Sequence, residues 1–310
     1  MKKYAGYFLA LILSAGLFLT SCKKEKTGGT DTETDATEVS AQADDQEQFA
    51  AETDDVTNDV NASIENKGGT YTGRPLGDLL PVRCDVNIVF DTASAAKTIT
   101  LTYNGNCLGD RTRTGVVVVS FANNFRWNDA GASFTVNYQN LKITRKRDNK
   151  SITINGTITH TNVTGGLLRN LSGLSSIVHE VKSDGISVIF NNGTARTWKI
   201  AKRRTFTYDN GIVISVKGIG AAGNGVAEWG VNRFGTDFTT SILADLVIKQ
   251  SCEFRLVSGK VKHTVGTKSI TTTFGLDKDG NAVTNCPLLF YFKVEWTAAN
   301  GGTASLIFPY

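Results

Sequence analysis

The chain has 310 residues, a net charge of +4, 31 glycines, four prolines and a single methionine. Thr, Val, Ile and Asn are abundant, which is the chemistry of strands and turns rather than helices. Only three histidines occur (His160, His179, His263) and no cysteine pair has the short spacing of a zinc site. That argues against a metal centre of the His/Cys kind.

Met1-Lys2-Lys3 opens the chain, followed by an apolar run from Tyr7 to Leu19 and then Leu19-Thr20-Ser21-Cys22. Two positive charges, an apolar core of about 13 residues and small residues before a cysteine make a secretory signal. The run is too short to span a bilayer as a stable helix. Leu-Thr-Ser-Cys resembles the bacterial lipobox, whose cysteine is lipidated and becomes the first residue of the mature chain. The resemblance implies that residues 1–21 are a lipoprotein signal peptide and that the protein is membrane-tethered through Cys22. An ordinary cleaved signal with a chance cysteine is the alternative.

Residues 22–67 form the next unit. From Asp31 to Asp59 there are 11 acidic residues and no Lys or Arg, and Phe49 is the sole aromatic. Such a segment buries too little apolar area to offset its ordering entropy, so it reads as a disordered acidic linker. From Gly68 to Tyr310 the balance reverses, with 27 Lys and Arg against 16 Asp and Glu. A basic folded region behind an acidic tether favours anionic partners such as phosphorylated lipid headgroups or acidic glycans. Scattered surface lysines on an ordinary soluble domain are the plainer explanation.

Residues 68–310 read as a β-rich domain. Period-two alternation recurs in Val86 to Phe90, Thr98 to Tyr103, Val116 to Phe121, Phe134 to Tyr138, Ser151 to Asn155 and Ile186 to Phe190. It continues in Thr205 to Tyr208, Ile212 to Val216, Ser269 to Phe274, Leu288 to Trp296 and Ala304 to Phe308. Turn signals such as Asn104-Gly105, Asp148-Asn149 and Asp209-Asn210-Gly211 separate the runs. Many short strands joined by hairpin turns predict an all-β fold, an antiparallel β-sandwich-like or partly closed barrel architecture of one or two packed modules. Leu167 to Lys182 alone shows a weak helical period, which predicts at most one short helix, or a crossover, and a subdivision near 166–185.

Beyond Cys22, the cysteines are Cys84, Cys107, Cys252 and Cys286, an even number that suggests two disulfides in an exported protein. Cys84 and Cys252 each precede a strand and turn, then a Lys-Thr/Ser-Ile-Thr strand and a second cysteine. This echo predicts two stapled hairpins, Cys84–Cys107 and Cys252–Cys286, with cross-pairing as the alternative. The pattern is similar to a group of Bacteroidota outer-membrane lipoproteins of uncharacterised function. They share a Lys-Thr-Ile-Thr strand, a cysteine and Gly-Arg-x-Arg-x-Gly before an apolar strand. Here Cys107-Leu108-Gly109-Asp110-Arg111-Thr112-Arg113-Thr114-Gly115 carries it, with Asp110 in place of the first Gly. The resemblance covers most of residues 84–310 and implies export, an envelope location and a β fold, but no activity.

Arg111 and Arg113 alternate at the start of a strand, so both point to one face, where two guanidinium forks can clamp a carboxylate or phosphate. Arg145 and Arg147 lie in a second basic cluster and Arg203 and Arg204 in a third, each in an apparent hairpin. Structural ion pairing is the competing reading for all six. Trp127 and Trp229 sit in Gly/Asn-rich segments and are candidate sugar-stacking platforms. Asp277-Lys278-Asp279-Gly280-Asn281 is similar to the start of a calcium loop, but Ala282 and Leu288 occupy the positions where such a loop needs Gly and Glu, so it reads as a tight turn.

No Gly-x-Ser-x-Gly or His-Glu-x-x-His pattern occurs, and His179-Glu180 is a lone pair. Glu228, Asp237 and Glu253 stand out no more than other carboxylates do. The chain reads as a non-enzymatic binding or structural module of the outer membrane, without cofactor or metal and without a nucleic-acid partner. The membrane, through Cys22, and an anionic glycan, a lipid headgroup or an envelope protein are the expected partners. A subunit of an outer-membrane complex and a glycan-processing hydrolase are the alternatives. In the lipoproteins this chain resembles, acidic residues directly after the anchor favour display on the cell surface; Lys23-Lys24-Glu25-Lys26 does not match that pattern, so the resemblance implies the periplasmic face over the surface.

Overall fold

The computed structural model describes residues 31–66, 85–91, 97–106, 111–122, 125–297 and 302–310. Residues 1–30, Cys84 and Cys107 lie outside the described residues, and with them the expected signal peptide, the expected lipid attachment at Cys22 and the expected Cys84–Cys107 pairing.

The protein is all-β in its sheet. The strands are Val86–Asp91 (β1), Lys97–Asn104 (β2), Arg111–Phe121 (β3), Ala132–Arg145 (β4), Ser151–Asn162 (β5), Ile177–Phe190 (β6), Ala195–Tyr208 (β7), Ile212–Gly218 (β8), Val226–Val231 (β9), Asp237–Lys249 (β10), Arg255–Val265 (β11), Lys268–Leu276 (β12), Tyr291–Thr297 (β13) and Thr303–Pro309 (β14). They form one antiparallel meander in which nearly every strand pairs with its sequence neighbour. The exception is a single strand position split in two. β8 and β9 lie end to end between β7 and β10, and residues 219–225 loop out between them. Gly218 and Gly225 admit the detour, because a Cβ on either would sit 2.0 Å and 2.1 Å from a backbone oxygen.

One face of the sheet is buried and the other is polar. In β5, Ile152, Ile154 and Ile158 are fully buried, while Ser151, Thr153 and Asn155 between them reach solvent. This is the alternation of an antiparallel sheet with one solvated face. The layer over the buried face is a helix rather than the second sheet of a sandwich. Asp31–Asn66 (α1) runs for 36 residues across it, where a disordered acidic linker was expected. Val39, Phe49, Val56 and Val60 of α1 join the same apolar cluster as Val119, Phe134, Trp198, Phe238 and Val265 of the sheet. Phe49 meets Trp198 edge to face at 5.2 Å, and Trp198 meets Phe238 at 5.1 Å. The composition argument holds for α1 in isolation and fails once the sheet supplies apolar contacts and counter-charges.

The sheet curls around α1. Adjacent helix residues Asp44 and Asp45 reach Arg145 at the end of β4 and Arg233 before β10. Those strands are five positions apart in the sheet, about 24 Å if it were flat. The buried face is therefore a trough with α1 lying in it. A bulge tunes its lining: Asn140 is left-handed (φ 53°) and shifts the register of β4, so Tyr138 and Leu141 both point into the trough. Gly115 of the Arg-x-Arg-x-Gly motif makes room, since a Cβ there would lie 2.2 Å from the Asn140 carbonyl oxygen.

The helical period at 167–182 resolves into a 3-10 turn, Leu168–Gly173, followed by β6 from Ile177. Leu171 and Ile177 pack with Phe206 in a small apolar cluster. β5 and β6 pair directly on either side of this connection, so the sheet runs on without a boundary there. Cys252 and Cys286 form a disulfide with Cα atoms 5.3 Å apart, the pairing expected for the second stapled hairpin.

Candidate anion-binding trough

β3 places the paired arginines as its alternation requires. Arg113 is buried, with Nε and Nη2 donating to both carboxylate oxygens of Asp85 at 2.8 and 2.9 Å. Its guanidinium also lies 5.0 Å from the centre of the Tyr103 ring, and Nη1 is 4.0 Å from Glu52 of α1. Burial works against this charge, but Asp85 and Glu52 more than offset it and hold the proton more tightly than usual. Arg111, one step toward the end of the trough, meets Glu52 and Asp55 of α1, both at 2.6 Å.

The second basic cluster converges on α1 from the β4–β5 turn. Arg145 donates Nη1 and Nη2 to Asp44 at 2.9 and 3.0 Å and also holds Asp148. Lys150 Nζ reaches Asp44 at 3.2 Å. Burial raises the Asp44 pKa, but Arg145 and Lys150 outweigh it and keep the carboxyl below the ordinary range. Arg147 contributes least, half exposed and 3.8 Å from Asp44.

The third pair splits. Arg204 faces the trough and binds Asp54 of α1. Arg203 lies on the solvent face, where it binds Glu180 with Lys182 beside it. Adjacent residues of a strand point to opposite faces, so the two cannot act on one ligand. The structure adds Arg233, which lies in the turn between β9 and β10 with no periodic signal to mark it as an anion-binding candidate. Its Nε donates to Asp45 of α1 at 2.7 Å, and its guanidinium stacks 4.8 Å from the Phe190 ring centre. Burial dominates at Asp45 and raises its pKa despite that bond. Gln46 extends the set, accepting from Thr240 and lying 3.1 Å from His263 Nδ1.

Arg111, Arg113, Arg145, Arg204 and Arg233 thus ring an apolar floor, and each meets a carboxylate of α1. A guanidinium fork takes phosphate or sulfate oxygens in the same geometry.

The other candidates fall elsewhere. Trp127 is fully buried among Phe125, Phe134 and His179 and offers no face to solvent. Trp229 is half-buried, with its ring over Gly220. The Asp277 carboxylate accepts the backbone N–H groups of Asp279 and Asn281 at 2.9 Å, closing a tight turn. His179 lies in the trough and Glu180 on the opposite face. Glu228 is buried against Lys202, while Asp237 and Glu253 are exposed at separate turns. Among the described residues no three His, Cys, Asp or Glu side chains converge as metal ligands. No protein-family model, no curated protein and no solved structure matches this chain.

Proposed function

We propose that the protein is a non-enzymatic binding module of the bacterial outer membrane, anchored through Cys22 with its domain on the periplasmic face, and that it takes an anionic amphiphile in the trough. The anchor rests on the Met1–Cys22 signal. The ligand class rests on one observation, the ring of Arg111, Arg113, Arg145, Arg204 and Arg233 above an apolar floor. Guanidinium groups suit a phosphorylated headgroup, and the floor suits its acyl chains. A glycan is less well matched, because Trp127 is buried and the floor has few polar groups to pair with hydroxyls. The test is calorimetric titration with short-chain phosphatidylglycerol and, as control, short-chain phosphatidylcholine. Binding of the anionic lipid alone, lost in Arg145→Gln/Arg233→Gln, supports the reading. Equal binding of both lipids refutes it.

A second reading, a subunit of an envelope complex, is favoured by one end of the sheet. Val163, Leu174, Leu288 and Leu289 in connections at that end, and Tyr208 as the last residue of β7, are exposed large apolar residues. Leu288 is 92% exposed, yet its loop is held, since Arg255 donates to the carbonyls of Pro287 and Leu288 and Cys286 is bonded to Cys252. A fixed apolar tip suits a protein contact. Leu288→Asp is expected to remove a co-purifying partner after mild detergent extraction. An unchanged set of co-purifying proteins refutes this second reading.

A further inference from the structure

We infer that α1 is a displaceable occupant of the trough: it holds the ligand-binding arginines by presenting carboxylates where the ligand presents its anionic groups. This rests on the reading of the trough as the binding site.

Several independent features carry it. α1 has 12 acidic residues and no Lys, Arg or His, so its attraction is entirely to the sheet. Like-charged and rich in Thr, Asp and Asn, the segment does not hold a helix alone. Helix formation and docking are therefore one coupled event, and undocking releases the whole cost of ordering. The carboxylates meet the arginines at every side of the trough. Glu52 and Asp55 hold β3, Asp44 the end of β4, Asp54 β7, and Asp45 the turn before β10. With α1 in place, these guanidinium groups are engaged by its carboxylates.

The fit is also imperfect. Gln42 is 1% exposed and neither amide atom has a hydrogen-bond partner, a penalty that disappears on release. Asp45 is so deeply buried that its carboxyl is harder to ionise than normal even with Arg233 bound to it. These are the marks of a segment that fits well enough to close the site and poorly enough to leave it. An anionic amphiphile competes for the same guanidinium forks and replaces Val39, Phe49, Val56 and Val60 on the same floor.

The experiment uses the full chain. Hydrogen exchange in α1 is followed at low salt and at 1 M NaCl, where screening falls to about 3 Å. Faster exchange in 31–66 than in the strands is expected, and no selective acceleration overturns the inference. Short-chain phosphatidylglycerol is then titrated into the wild type, Phe49→Ala and Glu52→Gln/Asp55→Asn. Apparent affinity scales with the open fraction, so both variants are expected to bind about tenfold tighter or better. A synthetic peptide of residues 31–66 is expected to compete. If the wild type binds and loosened variants that exchange rapidly in α1 bind no tighter, the occupant role is overturned and the binding site stands. If no form binds, the binding-site reading falls as well.

Discussion

Lowering the pH from 7.5 to 5 is expected to destabilise this protein through two histidines that the trough buries. His160 lies flat against Phe134, with ring centres 5.0 Å apart, and His179 packs between Trp127 and Phe206. Burial, with Arg204 nearby, pushes both pKa values down to about 3 from the ordinary 6.5. The unfolded chain therefore binds these protons below pH 6.5 and the folded chain does not, so stability drops as the pH falls through that window. At pH 5 each histidine costs about 2 kcal/mol, from a gap of about 1.5 pH units at 1.36 kcal/mol per unit. The pair costs about 4 kcal/mol, a large part of a typical domain's 5–15 kcal/mol. His263 shifts in the same direction. Asp44, Asp148, Glu180 and Asp277 are held below their ordinary values, so their contribution is lost progressively below about pH 5, at the lower edge of the window. Asp45, shifted upward, opposes the trend by gaining stability as the pH falls. Urea unfolding at pH 7.5, 6 and 5, followed by tryptophan fluorescence, measures the slope. His160→Phe/His179→Phe keeps the aromatic packing and removes the protons, so its loss over the window is expected to be less than half that of the wild type. A flat wild-type profile, or an unchanged slope in the double variant, refutes the reasoning.

Cys252→Ser removes a disulfide spanning 34 residues and is expected to cost about 3–4 kcal/mol in the loop-entropy account, read as a lower urea midpoint. The same midpoint in the reduced and oxidised wild type counts against it. Gly115→Ala puts a Cβ 2.2 Å from the Asn140 oxygen at φ +120°, a conformation an L residue rarely adopts. A loss of more than about 2 kcal/mol is expected, with Gly156→Ala milder because its nearest contacts lie at 3.3 Å. Equal effects at the two glycines contradict the bulge argument. Arg113→Lys is expected to cost about 2–4 kcal/mol, because an ammonium cannot make the two-pronged bond to Asp85 in a buried site. A fully stable lysine variant shows that the fork geometry is not what holds that strand edge.

The strands were legible in the sequence, and so was the Cys252–Cys286 hairpin. Thr98 to Tyr103, Ser151 to Asn155 and Ser269 to Phe274 all lie in strands, each with alternate residues turned inward. Side-chain direction along a strand depends on the backbone alone, so a period of two survives whatever packs on top. The Asn and Gly turns were legible for the same reason, since a left-handed residue such as Asn210 (φ 49°) needs only its own torsion angles to be recognised. The basic motifs were visible as residues, but their roles were not. Arg203 and Arg204 are neighbours in the chain and stand on opposite faces of the sheet.

What only the tertiary structure decided is the second layer. Judged by composition, α1 has no reason to fold, and its 12 acidic residues predict repulsion. Its partners lie on β3, β4, β7, β10 and β11 and in the turn before β10, as many as 217 residues away in the chain. They converge only when a sheet of many strands curls, and no local pattern encodes that curl. The leucine period at 167–182 reads as a short helix or a crossover, and a short 3-10 helix, Leu168–Gly173, lies there in the connection between β5 and β6, with Leu171 packed beside Ile177 and Phe206. Local torsion preferences wrote the strands and turns into the sequence, while long-range charge and apolar contacts, summed over the curled sheet, decided what fills the trough.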